Sequence, residues 1–225
     1  MPELKTTIDR INGAFEVKSA VRDAAITRSR ELIRHCANSI RATQRGDDAE
    51  AQTLLQTARH VAAEIIAAVQ RYPDLYHAGY TQDALKELAE AHITRAVVMG
   101  EAPPTPESLQ VEYAAYLNGL AEAAGELRRF TLDALRRGNV SLAERILGEM
   151  DEIYSALTTV DFPDAITGGL RRNTDMVRGV LERTRGDVTT AVRQETMKAA
   201  LAHFEQRVGL SGSSPDWVDE SPDEE

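Results

Sequence analysis

Residues 116–139 read YLNGLAEAAGELRRFTLDALRRGN, and the periodicity of this stretch decides the fold class. Leu120, Ala124, Leu127 and Ala134 fall on one apolar helix face, while Glu122, Glu126, Arg129 and Asp133 fall on the opposite one. Ala, Leu, Arg and Glu are strong helix formers, and Gly138 supplies a natural stop. Gly119 and Gly125 stand inside the pattern, each costing about 1 kcal/mol relative to alanine, which predicts close approach of another backbone at both.

The same reading extends in both directions and predicts seven helices. The first runs from about Ile8 to Arg45 and stops at Gly46; the second runs from Asp48 to Arg71, with Leu54, Leu55, Ala58, Val61, Ala62, Ile65 and Val69 on its buried stripe. After the PDLYHAGY loop, Thr81 caps a third helix that reaches Met99, with Leu85, Leu88, Ala89, His92 and Ala96 facing a core. Thr105 and Pro106 open the long fourth helix, which contains residues 116–139. A fifth spans Asn139 to Thr158, a sixth follows Phe162-Pro163 through about Arg185, and the last spans Asp187 to Val208. Short connections predict long antiparallel neighbours. The expected fold is therefore one all-α domain over residues 1–208.

Composition agrees. The 225-residue chain is 42 % hydrophobic, enough for a sizeable core, but only 5 % aromatic and poor in β-branched alternation. Cys36 is the single cysteine, so no internal disulfide or cysteine metal cluster forms. No apolar run approaches a membrane span of about 20 residues, and MPELKTTIDR lacks a signal-peptide pattern. A soluble, cytoplasmic protein with no membrane partner is expected. After Arg207 there is no basic residue, and residues 209–225 are weakly hydrophobic and acidic, a pattern predicting a disordered tail with Trp217 solvated. Six of the negatives behind the net charge of −10 lie in that tail, leaving −4 on the rest, so a basic groove on the body remains compatible with nucleic acid.

Four carboxylates carry the chemistry. Glu87 and Glu90 on the third helix and Glu122 and Glu126 on the fourth are spaced three and four apart, so each pair shares a helix face. Two such helices facing each other would form an oxygen site for a hard divalent cation, suited to Mg²⁺-assisted phosphodiester cleavage. Each stripe taken alone also matches a solvated face. Arg30, Arg34, Arg41 and Arg45 recur along one side of the first helix and suit either a phosphate backbone or surface ion pairs with neighbours such as Glu31. Arg129 is spaced to pair with Asp133 or to reach a phosphate, and His92 reads as a hydrogen-bonded core residue. Other chemistries lack their residues: no Glu-x-x-His pair for a di-iron bundle, no phosphate-binding glycine loop, no Cys/His zinc set and no nucleophilic serine elbow.

Residues 116–139 resemble the long central helix of the translin family, with Tyr116, Leu117, Gly119, Gly125, Glu126, Leu127, Arg129 and Gly138 at matching places. RSRELIRHCANSIRATQR is similar to the family's N-terminal helix, YPDLYHAGY to its loop before the third helix, and LRRNTDMVRGVLERTRGDVTTAVR to its closing helices. The resemblance covers about residues 20 to 200 and lies nearer the translin-associated factor X branch, in an archaeal-type form. It implies a translin-type bundle in a closed octamer-like homo-oligomer, with Mg²⁺, or Mn²⁺ in its place, held by Glu87, Glu90, Glu122 and Glu126 for endonucleolytic cleavage of single-stranded RNA. Glu122 departs from the aspartate of that branch. His77 and Tyr80 match a histidine and an aromatic of the family's nucleic-acid-binding loop, although its neighbouring basic residues are missing here. The other reading is a non-catalytic oligomer that binds RNA or single-stranded DNA.

Overall fold

The structure, a computed structural model, describes residues 2–209, and the acidic segment expected beyond Val208 otherwise lies outside them. The described residues form nine α-helices and no strand. They are α1 (Pro2–Arg45), α2 (Asp48–Val69), α3 (Pro73–Tyr76), α4 (Gly79–Met99), α5 (Pro106–Leu109), α6 (Tyr113–Arg136), α7 (Val140–Thr158), α8 (Asp164–Thr167) and α9 (Leu170–Val208). The all-α expectation holds, and none of these helices is long and apolar enough to cross a membrane.

Several boundaries differ from the sequence reading, each for a local reason. α4 begins at Gly79, and Thr81 lies inside it as a buried residue whose hydroxyl donates to the Leu75 carbonyl at 2.9 Å. Thr105 does cap, accepting from the Ser108 amide, but the helix it opens lasts one turn. Gln110 adopts φ 55°, and the turn lets both Leu109 and Val111 enter the core before α6 starts at Tyr113. The sixth and seventh helices are one, because Gly186 does not interrupt α9. Arg128 of α6 clamps α9 on both sides of that glycine, at 3.0 Å to Thr184 and 2.9 Å to Asp187.

Chain-adjacent helices joined by tight turns are antiparallel, as expected. α1 and α2 turn at Gly46 and are tied by Arg28 to Glu64 at 2.8 Å and by Ser39 to the Ala51 carbonyl at 3.0 Å. Two pairs that meet without being chain neighbours run parallel instead. α6 and α9 are parallel, held by the Asn118–Asn173 hydrogen bond and the Arg128–Asp187 pair. α4 and α6 also start together, tied by Tyr76 to Glu112 and Lys86 to Glu122, because residues 100–112 carry the chain back the length of the bundle.

α4 is the central helix. Leu85, Leu88 and Ile93 are fully buried, and so are Ala84, Ala89 and Ala91 around its circumference. The face carrying Glu90 and Thr94 is buried too, since α1 packs on one side of α4 and α6 on another. The core is completed by Leu32 of α1, Ile65 of α2, Leu127 of α6, Ile146 and Met150 of α7 and Leu170 of α9.

Candidate functional site

The closest approach of α4 and α6 is at Gly119. A Cβ there would lie 2.7 Å from the Lys86 carbonyl oxygen, closer than a side chain tolerates against backbone, and a tight 3.0 Å from the Ala89 Cβ and 3.1 Å from the Glu90 amide nitrogen. Gly119 therefore lets the two backbones touch, and the carboxylates one turn along each helix converge. The expected partner, Gly125, has no neighbour within 4 Å and permits no such contact.

Glu87, Glu90 and Glu122 each offer a ligand oxygen within 4.8 Å of the others. Mg²⁺ binds oxygens at about 2.1 Å, so two oxygens on one ion lie at most about 4.2 Å apart. Small side-chain rotations bridge that difference, and an all-carboxylate set is the donor chemistry such a cation takes. Glu126, expected to join them, stands outside this group. Its carboxylate accepts a hydrogen bond from Gln44 Nε2 of α1, which ties it to the rim of the site.

The electrostatics are those of crowded, partly desolvated acids. Burial, then the charges of Glu87, Glu122 and Glu126, raise the Glu90 carboxyl to about 8; this residue is only 8 % exposed. Glu87 is raised as well, mainly by burial. Lys86 supplies the compensating charge: its Nζ lies 2.7 Å from Glu122 and 3.9 Å from Glu87. Burial alone would lower the ammonium, but the hydrogen bond to Glu122 raises it. Cys36 lies buried beside this site, and desolvation together with Glu87 and Glu90 pushes its thiol up, so it stays protonated and inert.

Arg30, Arg34, Arg41 and Arg45 are all exposed on α1. Arg45 pairs with Glu50, and Arg41 bonds Asn38, whereas Glu31 is engaged by Arg28 and not by the ladder. His77 is exposed at the end of α3, its ring edge-on to Tyr76 at 4.9 Å. Tyr80 is turned inward, packing against the cluster of Ala25, Val69 and Leu75. The exposed aromatic here is Tyr113, 67 % accessible, which shares a cleft of about 550 Å³ with His77, Lys86 and Glu122. Reading one unbroken helix from Pro106 concealed Tyr113, because only the break at Gln110 puts it at a helix start. Gln44 and Lys86 also escaped the sequence reading, and their only signal is proximity to acids on other helices. Asp133 pairs with Arg136 at 3.3 Å instead of Arg129. His92, expected as a hydrogen-bonded core residue, is half-buried with its Nε2 lacking a hydrogen-bond partner, and burial with nearby Arg59 and Arg95 lowers it to about 4.

No protein-family model matches this sequence. An uncharacterised protein of Methanocaldococcus jannaschii is 28 % identical over 197 residues, 86 % of each chain. The C3PO of Archaeoglobus, in its complex with duplex RNA, superimposes with a TM-score of 0.78 at 35 % identity, covering 84 % of this chain and 97 % of that one. A crystal structure of that C3PO gives 0.76 over 84 % and 98 %. The apo C3PO of Nematostella, at 21 % identity and a TM-score of 0.75 over 82 % and 96 %, shares the fold. At 35 % identity over 84 % of its length, carried on the same all-helical architecture, the chain belongs to the translin-type C3PO family.

Proposed function

We propose that this chain is a subunit of an RNA-binding oligomer that cleaves single-stranded RNA with the help of Mg²⁺ or Mn²⁺. The observation that carries the reading is the convergence of Glu87, Glu90 and Glu122 from two helices within 4.8 Å, one of them buried. Repulsion among such acids is relieved by a cation, which is why the arrangement favours one. RNA as the ligand class is supported by the Archaeoglobus relative's complex with duplex RNA.

In this reading Glu87, Glu90 and Glu122 hold the metal, and Glu126, fixed by Gln44, orients its surroundings. When bound, the metal supplies an activated water and neutralises charge developing on the scissile phosphate. Lys86, no longer needed to balance Glu122, is free to face the same phosphate. Tyr113 and His77 line the adjoining cleft, where an aromatic ring can stack on an unpaired base.

A second reading has its own observation. Lys86 already compensates Glu122 at 2.7 Å, so the acids also form a satisfied structural cluster in a non-catalytic oligomer that binds RNA or single-stranded DNA. Purified protein incubated with single-stranded RNA and Mg²⁺ separates the two. Cleavage that disappears in Glu122→Gln, with RNA binding retained, supports the enzyme. Cleavage at the wild-type rate in both Glu90→Gln and Glu122→Gln would overturn the metal site, and no cleavage by any form would leave the binding protein.

A further inference from the structure

A cleft of about 330 Å³ lies between the C-terminal ends of α1 and α6, lined by Arg41, Arg45, Arg129, Arg136 and Arg137 with Asp133 and Gln44. Five guanidinium groups against the one carboxylate of Asp133 leave a formal +4 in the lining, on a chain whose total is −10. All five arginines are exposed. Arg45 is shared with Glu50 and Arg136 with Asp133, while Arg129 and Arg137 make no ion pair among the described residues. Such a concentration of like charge on one surface raises the local positive potential and attracts anions.

We propose that this cleft binds the phosphodiester backbone of the RNA strand to one side of the bond being cut. The inference rests on the RNA-cleavage reading above, and extends it from the reacting phosphate to its neighbours. Three features point there. Gln44 lines the cleft and also donates to Glu126, so the cleft opens at the edge of the carboxylate site. Arg129 follows Glu126 by three residues, about 4.5 Å along α6, and Arg136 lies about 10 Å beyond Arg129 on the same face. Arg41 and Arg45 stand one turn apart on the opposite wall. Two facing rows of that length suit a run of phosphates better than a single compact anion. Arginine also presents a planar fork that bonds phosphate oxygens in pairs.

The test is the double variant Arg136→Glu/Arg137→Glu in the full chain, compared with Arg136→Gln/Arg137→Gln to separate loss of charge from reversal. Single-stranded RNA binding is titrated over a range of salt, and Mn²⁺ binding to the protein alone is followed by calorimetry. The expected result is RNA binding weaker by about tenfold or more, with the slope of log affinity against log salt shallower by about 1.4, two contacts' worth on a single strand. Mn²⁺ binding stays within a factor of about two, because the carboxylates are untouched. Wild-type and variant proteins that bind RNA with the same slope would overturn the cleft while leaving RNA binding in place. A wild-type chain that does not bind RNA overturns the parent reading as well, so the two failures differ. If the variant binds RNA normally but becomes newly sensitive to protease after Val208, the cleft holds the chain's own acidic end and the proposal falls.

Discussion

Glu90 is the residue whose chemistry depends most on its surroundings. Its carboxyl is raised to about 8 in the fold, above the ordinary 4.5, so between those values the folded chain holds a proton that the unfolded chain has released. Stability of the metal-free protein therefore falls as pH rises through that window, by up to about 1.4 kcal/mol per pH unit. Urea midpoints measured from about pH 5 to about pH 8 should decline, and Glu90→Gln should flatten that decline. Mg²⁺ needs the ionised acid, so its affinity should rise over the same range and its addition should restore stability at the alkaline end. A decline of equal slope in the variant would place the titration elsewhere. Lys86 is the complementary case. Its ammonium occupies the position of charge compensation, so Lys86→Met should tighten Mn²⁺ binding by about tenfold, ~1.4 kcal/mol, as an internal competitor is removed. Calorimetry showing unchanged affinity would mean that the lysine does not compete.

At the level of the helices, the contact between α4 and α6 sets the site. Gly119→Ala must push its methyl against the Lys86 carbonyl at 2.7 Å, so it should destabilise by about 1–3 kcal/mol and loosen divalent-cation binding by separating the two acid-bearing helices. Gly125→Ala meets nothing within 4 Å, so in the middle of α6 it should stabilise by up to about 1 kcal/mol. Chemical denaturation of the two variants side by side checks this, and equal effects would refute the assignment of the close approach. The sequence reading expected both glycines at a helix contact. Helix propensity marks each as costly but does not say which faces a neighbour, and only the crossing point of α4 on α6 decides that. The same limit explains α9, where Gly186 and Asp187 read as a break until Arg128 of a distant helix clamps Thr184 and Asp187.

The whole molecule leaves two apolar stripes uncovered at opposite ends. Leu4, Ile8, Ile11 and Phe15 recur at steps of three and four along α1, and Met197, Leu201, Phe204 and Val208 do the same along α9. Phe15 is 65 % exposed and Phe204 58 % exposed, which is a poor arrangement for a chain alone in water. Oligomerisation would cover them, so light scattering should give a mass several times 24.7 kDa, and Phe15→Glu or Phe204→Glu should reduce it. A monomer in the wild type at micromolar concentration would remove this explanation of both stripes.

The all-helical class, most helix limits and the four acidic positions were legible in the sequence, because helix formation and face periodicity are set by residues three and four apart. Asp47 and Asn139 cap α2 and α7 through amides three residues ahead, again within reach of local rules. What tertiary structure alone decided is which faces meet. Glu90 shares the polar stripe of its helix, yet α1 and α6 close over it and make it a buried acid. Glu126 belongs to the same pattern as Glu122, but it bonds Gln44, 82 residues earlier in the chain, and lies outside the three-acid group although its charge still raises Glu90. Lys86 and Tyr113 carry no local signature, and of the cleft only Arg41, Arg45 and Arg129 stood out in the sequence, because these roles depend on helices that approach one another only after the core has packed. Local spacing determined where the acids could point, and the packing of α4 between α1 and α6 determined which of them converge.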